Sequence, residues 1–290
     1  METLSNSLLT INISATGAEL QNIIKNGREY LWQGDKRFWG RRSPVLFPIV
    51  GRVWNNIYRV DGKSYELGQH GFARDMEFDL ISKDTNCIEY VCESNENTLK
   101  DYPFPFKLYI SYILKDNRVI VRWKVENTGD KDMYFQIGAH PAFNFPDLNT
   151  TTDKRGFFAF YGKKDLVYNI PIEKGCVGDK YQPLHLKEGL MEVDIHTFDC
   201  DTYLFEDNQL RKVTFLDKKH FPYISVEFDA PLLALWSPTK EHPDCPFFCI
   251  EPWYGRCDSL NYEGEFKDRE YTQYLPPKRS FEVSYSIIIE

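Results

Sequence analysis

The chain has 290 residues, 42% hydrophobic and 27% charged, a globular composition that excludes a disordered polypeptide. Its net charge of −8 argues against nucleic-acid partners, whose phosphates select basic surfaces, and no apolar run approaches the ~20 residues needed to cross a bilayer. Aromatic residues reach 16%, a surplus that suits β-sheet packing or sugar stacking better than a helix bundle. The seven cysteines are scattered without a C-x-x-C pair, so neither a disulfide framework nor a zinc motif is expected. The first seven residues carry no basic region of the kind that opens a secretory signal. These features predict a cytoplasmic protein of a reducing compartment, with no membrane partner.

In chain order, the first predicted strand covers residues 8–13. Asp61-Gly62 then separates Tyr58-Arg59-Val60 from Ser64-Tyr65-Glu66-Leu67, the strongest short-range hairpin signal. Residues 97–102 look mildly helical, for a turn or two. A second hairpin joins 106–114 to 119–125 through Lys115-Asp116-Asn117. In its second arm Val119, Val121, Trp123 and Val125 alternate with Ile120, Arg122, Lys124 and Glu126, so one face meets the core. Residues 268–274 again look helical. The last strand, 281–289, alternates Phe281, Val283, Tyr285, Ile287 and Ile289 with Glu282, Ser284, Ser286 and Ile288. The first and last strands are expected to pair or to lie in adjacent sheets. With no linker, repeat or low-complexity segment, residues 1–290 read as one large antiparallel all-β domain, a sandwich or barrel.

Four clusters interrupt the alternation: 44–56, 69–75, 138–144 and 249–256. Each has a bland reading. His70 beside Gly71 suits a loop, Glu251 at the end of an apolar run suits a paired core charge, Arg41 suits solvent, and Trp236 and Trp253 suit the core. Together they suit sugar chemistry. A carboxylate takes a proton, an imidazole near its ordinary pKa of ~6.5 gives one, and Arg and Asn bind hydroxyls. Aromatic faces stack on the apolar side of a pyranose ring.

The sequence resembles the aldose 1-epimerase (galactose mutarotase-like) family, in its LacX-like branch, over nearly the whole chain. The most specific blocks are His70-Gly71-Phe72-Ala73-Arg74 and Ile250-Glu251-Pro252-Trp253-Tyr254-Gly255, joined by Phe38-Trp39-Gly40-Arg41-Arg42-Ser43-Pro44, Gly51-Arg52 and Leu275-x-Pro277. The family's Gly-Glu after that last block is replaced by Lys278-Arg279.

The resemblance implies a β-supersandwich of large twisted antiparallel sheets with a sugar cleft on one face. It also implies roles: Glu251 as general base, His140 as general acid, and His70 as a sugar ligand. Asn55 matches the family's Asn-Arg pair, whose Arg is here Asn56; Arg74, and after it Arg52, is expected to replace it. Asp201 is the match for the sugar-binding Asp, and Trp253 is expected against the ring.

No cofactor and no metal are implied. The expected substrate is a small sugar and the expected state a monomer or weak homodimer. The function implied is interconversion of α and β anomers of a free hexose such as galactose or glucose. The alternatives are a hexose-6-phosphate 1-epimerase, for which Arg37, Arg41 and Arg42 would meet the phosphate, and a non-catalytic carbohydrate-binding β-sandwich.

Overall fold

In the computed structural model, which describes residues 1–148 and 152–290, the longest period-two segments lie at the centre. Strand Arg118–Asn127 runs between Phe106–Lys115 and Ser280–Ile289, antiparallel to both. Its buried Val119, Val121, Trp123 and Val125 stand opposite Ile287, Tyr285, Val283 and Phe281. Such β-branched and aromatic cross-strand pairs stabilise a sheet by roughly 0.2–1 kcal/mol each. The sheet extends to nine antiparallel strands, reaching Leu190–Asp194 at one edge and Asp79–Lys83 at the other.

A six-stranded sheet packs behind it. Tyr203–Phe205, Leu232–Trp236, Phe247–Tyr254, Ile137–Ala139 and Val45–Leu46 follow in that order, and Ala142–Asn144 also pairs with Phe247–Tyr254. A third sheet is N-terminal and four-stranded, from Glu2–Ser5 to Arg28–Glu29. One apolar cluster draws on all three: Ile11 and Leu20, Val121 and Ile287, Phe248 and Ile250. The core therefore lies between the sheets, as a layered β architecture requires.

The first and last strands lie in adjacent sheets rather than pairing. Thr10–Ile13 belongs to the N-terminal sheet and Ser280–Ile289 to the nine-stranded one, and Lys25 Nζ bridges the two sheets by donating to the Ile289 carbonyl at 2.9 Å. Asp61-Gly62 forms the two-residue turn between Ile57–Val60 and Lys63–Glu66, both residues at positive φ (50° and 76°), as a type I′ turn demands.

The helical expectations divide. Residues 97–102 yield the helix Thr98–Asp101, but 268–274 do not form one. A 3₁₀ turn, Phe266–Asp268, ends there, Tyr271 takes φ +58°, and strand Gln273–Leu275 pairs with Met133–Phe135. A left-handed residue cannot continue a right-handed helix, so the segment turns into a sheet edge. Lys278 also stands at φ +59°, which is why glycine suits that turn; its Nζ donates to the Thr128 carbonyl at 2.6 Å.

Candidate active site

Strand Phe247–Tyr254 is buried at every position, so its two faces cannot be told apart by polarity. Period two separates them. Phe248, Ile250 and Tyr254 enter the main core, whereas Phe247, Cys249 and Trp253 join smaller clusters on the opposite face. Glu251 lies on that second face, 1% exposed, opposite Ala234 of the neighbouring strand.

On the other side the ladder is broken. Gly138 pairs with Trp253 and Ala142 with Cys249, and between them lies His140-Pro141, where Pro141 has no N–H to give. The break brings His140 to Glu251, with Nε2 3.3 Å from a carboxylate oxygen. That oxygen, Glu251 Oε2, and His140 Nδ1 are buried without a hydrogen-bond partner. Gly138 leaves the space for Trp253, since a β-carbon there would meet its Cδ1 at 2.7 Å.

His70 reaches the same cleft from a strained turn. It and Gly71 take φ of 66° and 68°, and a β-carbon on Gly71 would lie 2.3 Å from the Phe47 carbonyl oxygen. The Gly51 N–H donates to His70 Nδ1 at 3.0 Å. Nδ1 is thereby an acceptor, so a neutral His70 carries its proton on Nε2. The two imidazoles meet edge to face with centroids 5.6 Å apart. Trp39 stacks on His140 at 4.6 Å, and Trp236 closes against both rings.

The cleft encloses about 400 Å³, within the range of small-ligand pockets. Besides His70, His140 and Glu251 it is lined by Arg74, Asp201 and Trp253, three of the residues singled out in the sequence, and by Trp39, Gln69, Trp236, Lys240 and Glu241. These last five went unassigned in the sequence. Trp39 belongs to a resemblance block, and Trp236 has the pattern of a core residue.

Asn55 and Arg52 lie outside the lining, contrary to expectation. Asn55, at φ +56°, turns into a neighbouring depression and accepts a hydrogen bond from Lys174 Nζ at 2.7 Å. Arg52 packs its stem behind Gly175 and donates to Gln69 Oε1 at 3.2 Å. The arginines expected at a phosphate are also committed elsewhere. Arg37 pairs with Asp35, Arg41 forks onto Asp75 at 2.9 and 3.2 Å, and Arg42 donates to the Gln21 carbonyl. Arg74 keeps more freedom: its Nη2 donates to the Gln69 carbonyl, and its buried Nε has no hydrogen-bond partner.

Burial governs the electrostatics. It pushes Glu251 well above the usual carboxylate range. It also drives His140 down to about 3, helped by the Arg74 charge, and His70 well below its ordinary value, helped by His140 and Arg74. The imidazole is therefore not the free group of pKa ~6.5 that its residue type suggests. Arg74 is lowered to about 10, by burial first and the nearby Arg41 charge next, and burial raises Asp201.

The fold is that of galactose mutarotase-like proteins. A galactose mutarotase related enzyme from Lactobacillus acidophilus superposes with a TM-score of 0.91 at 31% identity, covering 100% of this chain and 97% of the other. A galactose mutarotase-like protein from Lactobacillus casei gives 0.92 at 28% identity, covering 100% of both. Protein LacX, plasmid, of Lactococcus lactis subsp. lactis is 31% identical over 99% of this chain and 98% of its own length. The aldose 1-epimerase family model matches residues 2–280, and the chain belongs to that family.

Proposed function

We propose that the protein is an aldose 1-epimerase that interconverts the α and β anomers of a free hexose such as galactose or glucose, with residues 1–290 acting as one domain. The observation that carries this reading is the His140–Glu251 contact of 3.3 Å on the floor of a tryptophan-walled cleft. O1 and O5 of an aldose are both bonded to C1, so the base and acid that serve them must stand side by side. Glu251 removes the O1 proton while His140 protonates O5. The ring opens, the C1–C2 bond rotates, and closure on the other carbonyl face returns both protons. Each positioned proton transfer contributes typically about 10²–10⁴ in rate.

The pair carries one proton throughout. In the free cleft, burial favours the uncharged arrangement with that proton on Glu251. A sugar O1–H donated to the carboxylate stabilises its anion and moves the proton to His140, the arrangement that reacts. Neutral His70 offers its Nε2–H to a sugar oxygen. Arg74 and Asp201 bind hydroxyls, and Trp253 or Trp39 faces the ring.

One-dimensional proton NMR of freshly dissolved α-glucose and α-galactose tests the reading, because anomeric signals report the approach to equilibrium directly. The expected result is equilibration well above the buffer rate. Acceleration only for 6-phosphates would shift the substrate to a phosphosugar. No acceleration on any aldose, with binding retained, would leave a carbohydrate-binding protein.

A further inference from the structure

We propose that His140 and Glu251 of the cleft floor, together with the buried Cys249 beside them and outside the cleft lining, form a binding site for a divalent transition-metal ion, at which zinc blocks sugar turnover. The cysteine spacing in the sequence carries no metal motif; the site is made by the sheet. Cys249 and Glu251 project from the same face of strand Phe247–Tyr254, and the ladder break at Pro141 brings His140 onto that face. One ligand atom from each of the three lies within 4.8 Å of the other two, and all three residues are buried.

The distances suit the chemistry. Zinc–ligand bonds of about 2.0–2.3 Å in a tetrahedron put neighbouring ligand atoms roughly 3.3–3.8 Å apart. His140 and Glu251 already stand at 3.3 Å, so the remaining adjustment falls on the Cys249 and Glu251 side-chain rotamers.

A second, independent observation points to a ligand. Glu251 Oε2 is buried on this floor, faces His140 Nε2 at 3.3 Å and makes no hydrogen bond, a costly state for a buried polar atom. Charge balance favours the same occupant. A dipositive ion held by one thiolate and one carboxylate is net neutral, as befits the shell of Trp32, Phe247, Trp39 and Trp236 around Cys249. Thiolate and imidazole together select zinc, cobalt(II) or copper over magnesium or calcium. On binding, the thiol proton and any proton on Glu251 leave to solvent, and the fourth position faces the cleft. The ion takes the lone pairs that proton transfer needs, so it acts as an inhibitor competing with the sugar. This last step rests on the epimerase reading, whereas metal binding itself does not.

The test uses the full chain, reduced and stripped with chelator, and cobalt(II) as a coloured probe. Wild type is expected to develop a thiolate-to-cobalt charge-transfer band that saturates at one ion per chain and that zinc displaces. Cys245→Ala, which removes a neighbouring buried thiol, should keep the band, and Cys249→Ala should abolish it. In the NMR assay zinc should raise the apparent KM of wild type and leave kcat unchanged. Cys249→Ala should weaken that inhibition by at least about 10–100-fold, the range lost when even an outer-sphere partner is removed, with sugar turnover preserved. Cys249→Ser, checked by circular dichroism, replaces the alanine variant if that one fails to fold. No band in wild type, a band that survives loss of Cys249, or a band lost with Cys245 overturns the site. A cobalt band on a protein without epimerase activity would uphold the site and refute only the function.

Discussion

Replacing Glu251 by Gln separates chemistry from folding. The carboxyl is 1% exposed, and burial holds its pKa well above the usual range, so its charged form is disfavoured where it stands. A group whose folded pKa is raised loses stability as pH climbs above its unfolded value of ~4.3. Gln has the same shape and no charge to bury, so the variant should unfold at the same denaturant midpoint as wild type or a higher one at pH 7. Turnover should behave oppositely. The amide cannot accept the O1 proton, and the loss should be about 10²–10⁴ in kcat, or roughly 3–5 kcal/mol of barrier. Sugar affinity should change little, because Arg74, Asp201, His70 and the tryptophans remain. Polarimetry of fresh α-glucose supplies the rate, calorimetry the affinity and urea titration the stability. A Glu251→Gln protein that equilibrates glucose at the wild-type rate would refute the assignment of the base. A marked loss of stability with activity in proportion would mean that Glu251 acts through packing alone.

Four other outcomes follow from the geometry. In the pH profile the acid limb, which reports a second proton entering the pair, should lie far below 6.5, because burial holds His140 at about 3, while the basic limb reports loss of the single proton and lies above the usual carboxylate range. An acid limb centred near 6.5 in kcat/KM would contradict that order of protonation. Arg74→Ala should weaken sugar binding in calorimetry more than Arg41→Ala, since Arg74 lines the cleft and Arg41 is held on Asp75; the reverse order would move the sugar to the outer loop. Gly138→Ala should destabilise the protein by about 1–3 kcal/mol in urea unfolding, because its β-carbon overlaps Trp253 Cδ1, and an unchanged midpoint would show that Trp253 is free to move. Asp258→Ala should cost about 3–5 kcal/mol, since Asp258 and Arg269 form a buried ion pair that also receives the Trp54 N–H at 2.7 Å; unchanged stability would show that pair to be dispensable.

The sequence by itself determined the elements whose signal is local. Alternation at Val119–Val125 and Phe281–Ile289 set strand and inward face, because a strand's side chains alternate by covalent geometry. Asp61-Gly62 set its hairpin because few residues tolerate two successive positive φ values. The family blocks also pointed to His70, Arg74 and Trp253, and the position before strand Tyr203–Phe205 suggested Asp201; all four line the cleft beside His140 and Glu251. Tertiary structure decided what depends on residues far apart in the chain. Residues 268–274 had a helical pattern, yet pairing with Met133–Phe135 and the left-handed Tyr271 made them a turn and a strand. Strand Phe247–Tyr254 is buried on both faces, so only its neighbours show which environment Cys249 and Glu251 enter. Asn55 and Arg52 share a motif with the cleft and yet line a neighbouring depression, because Asn55 stands at a left-handed position against Lys174 and Arg52 is held at the rim by Gln69. The proton chemistry was hidden for the same reason. An imidazole's residue type gives its ordinary pKa, and only the surrounding apolar shell, assembled from Trp39, Trp236 and Phe247, moves His140 and Glu251 in opposite directions.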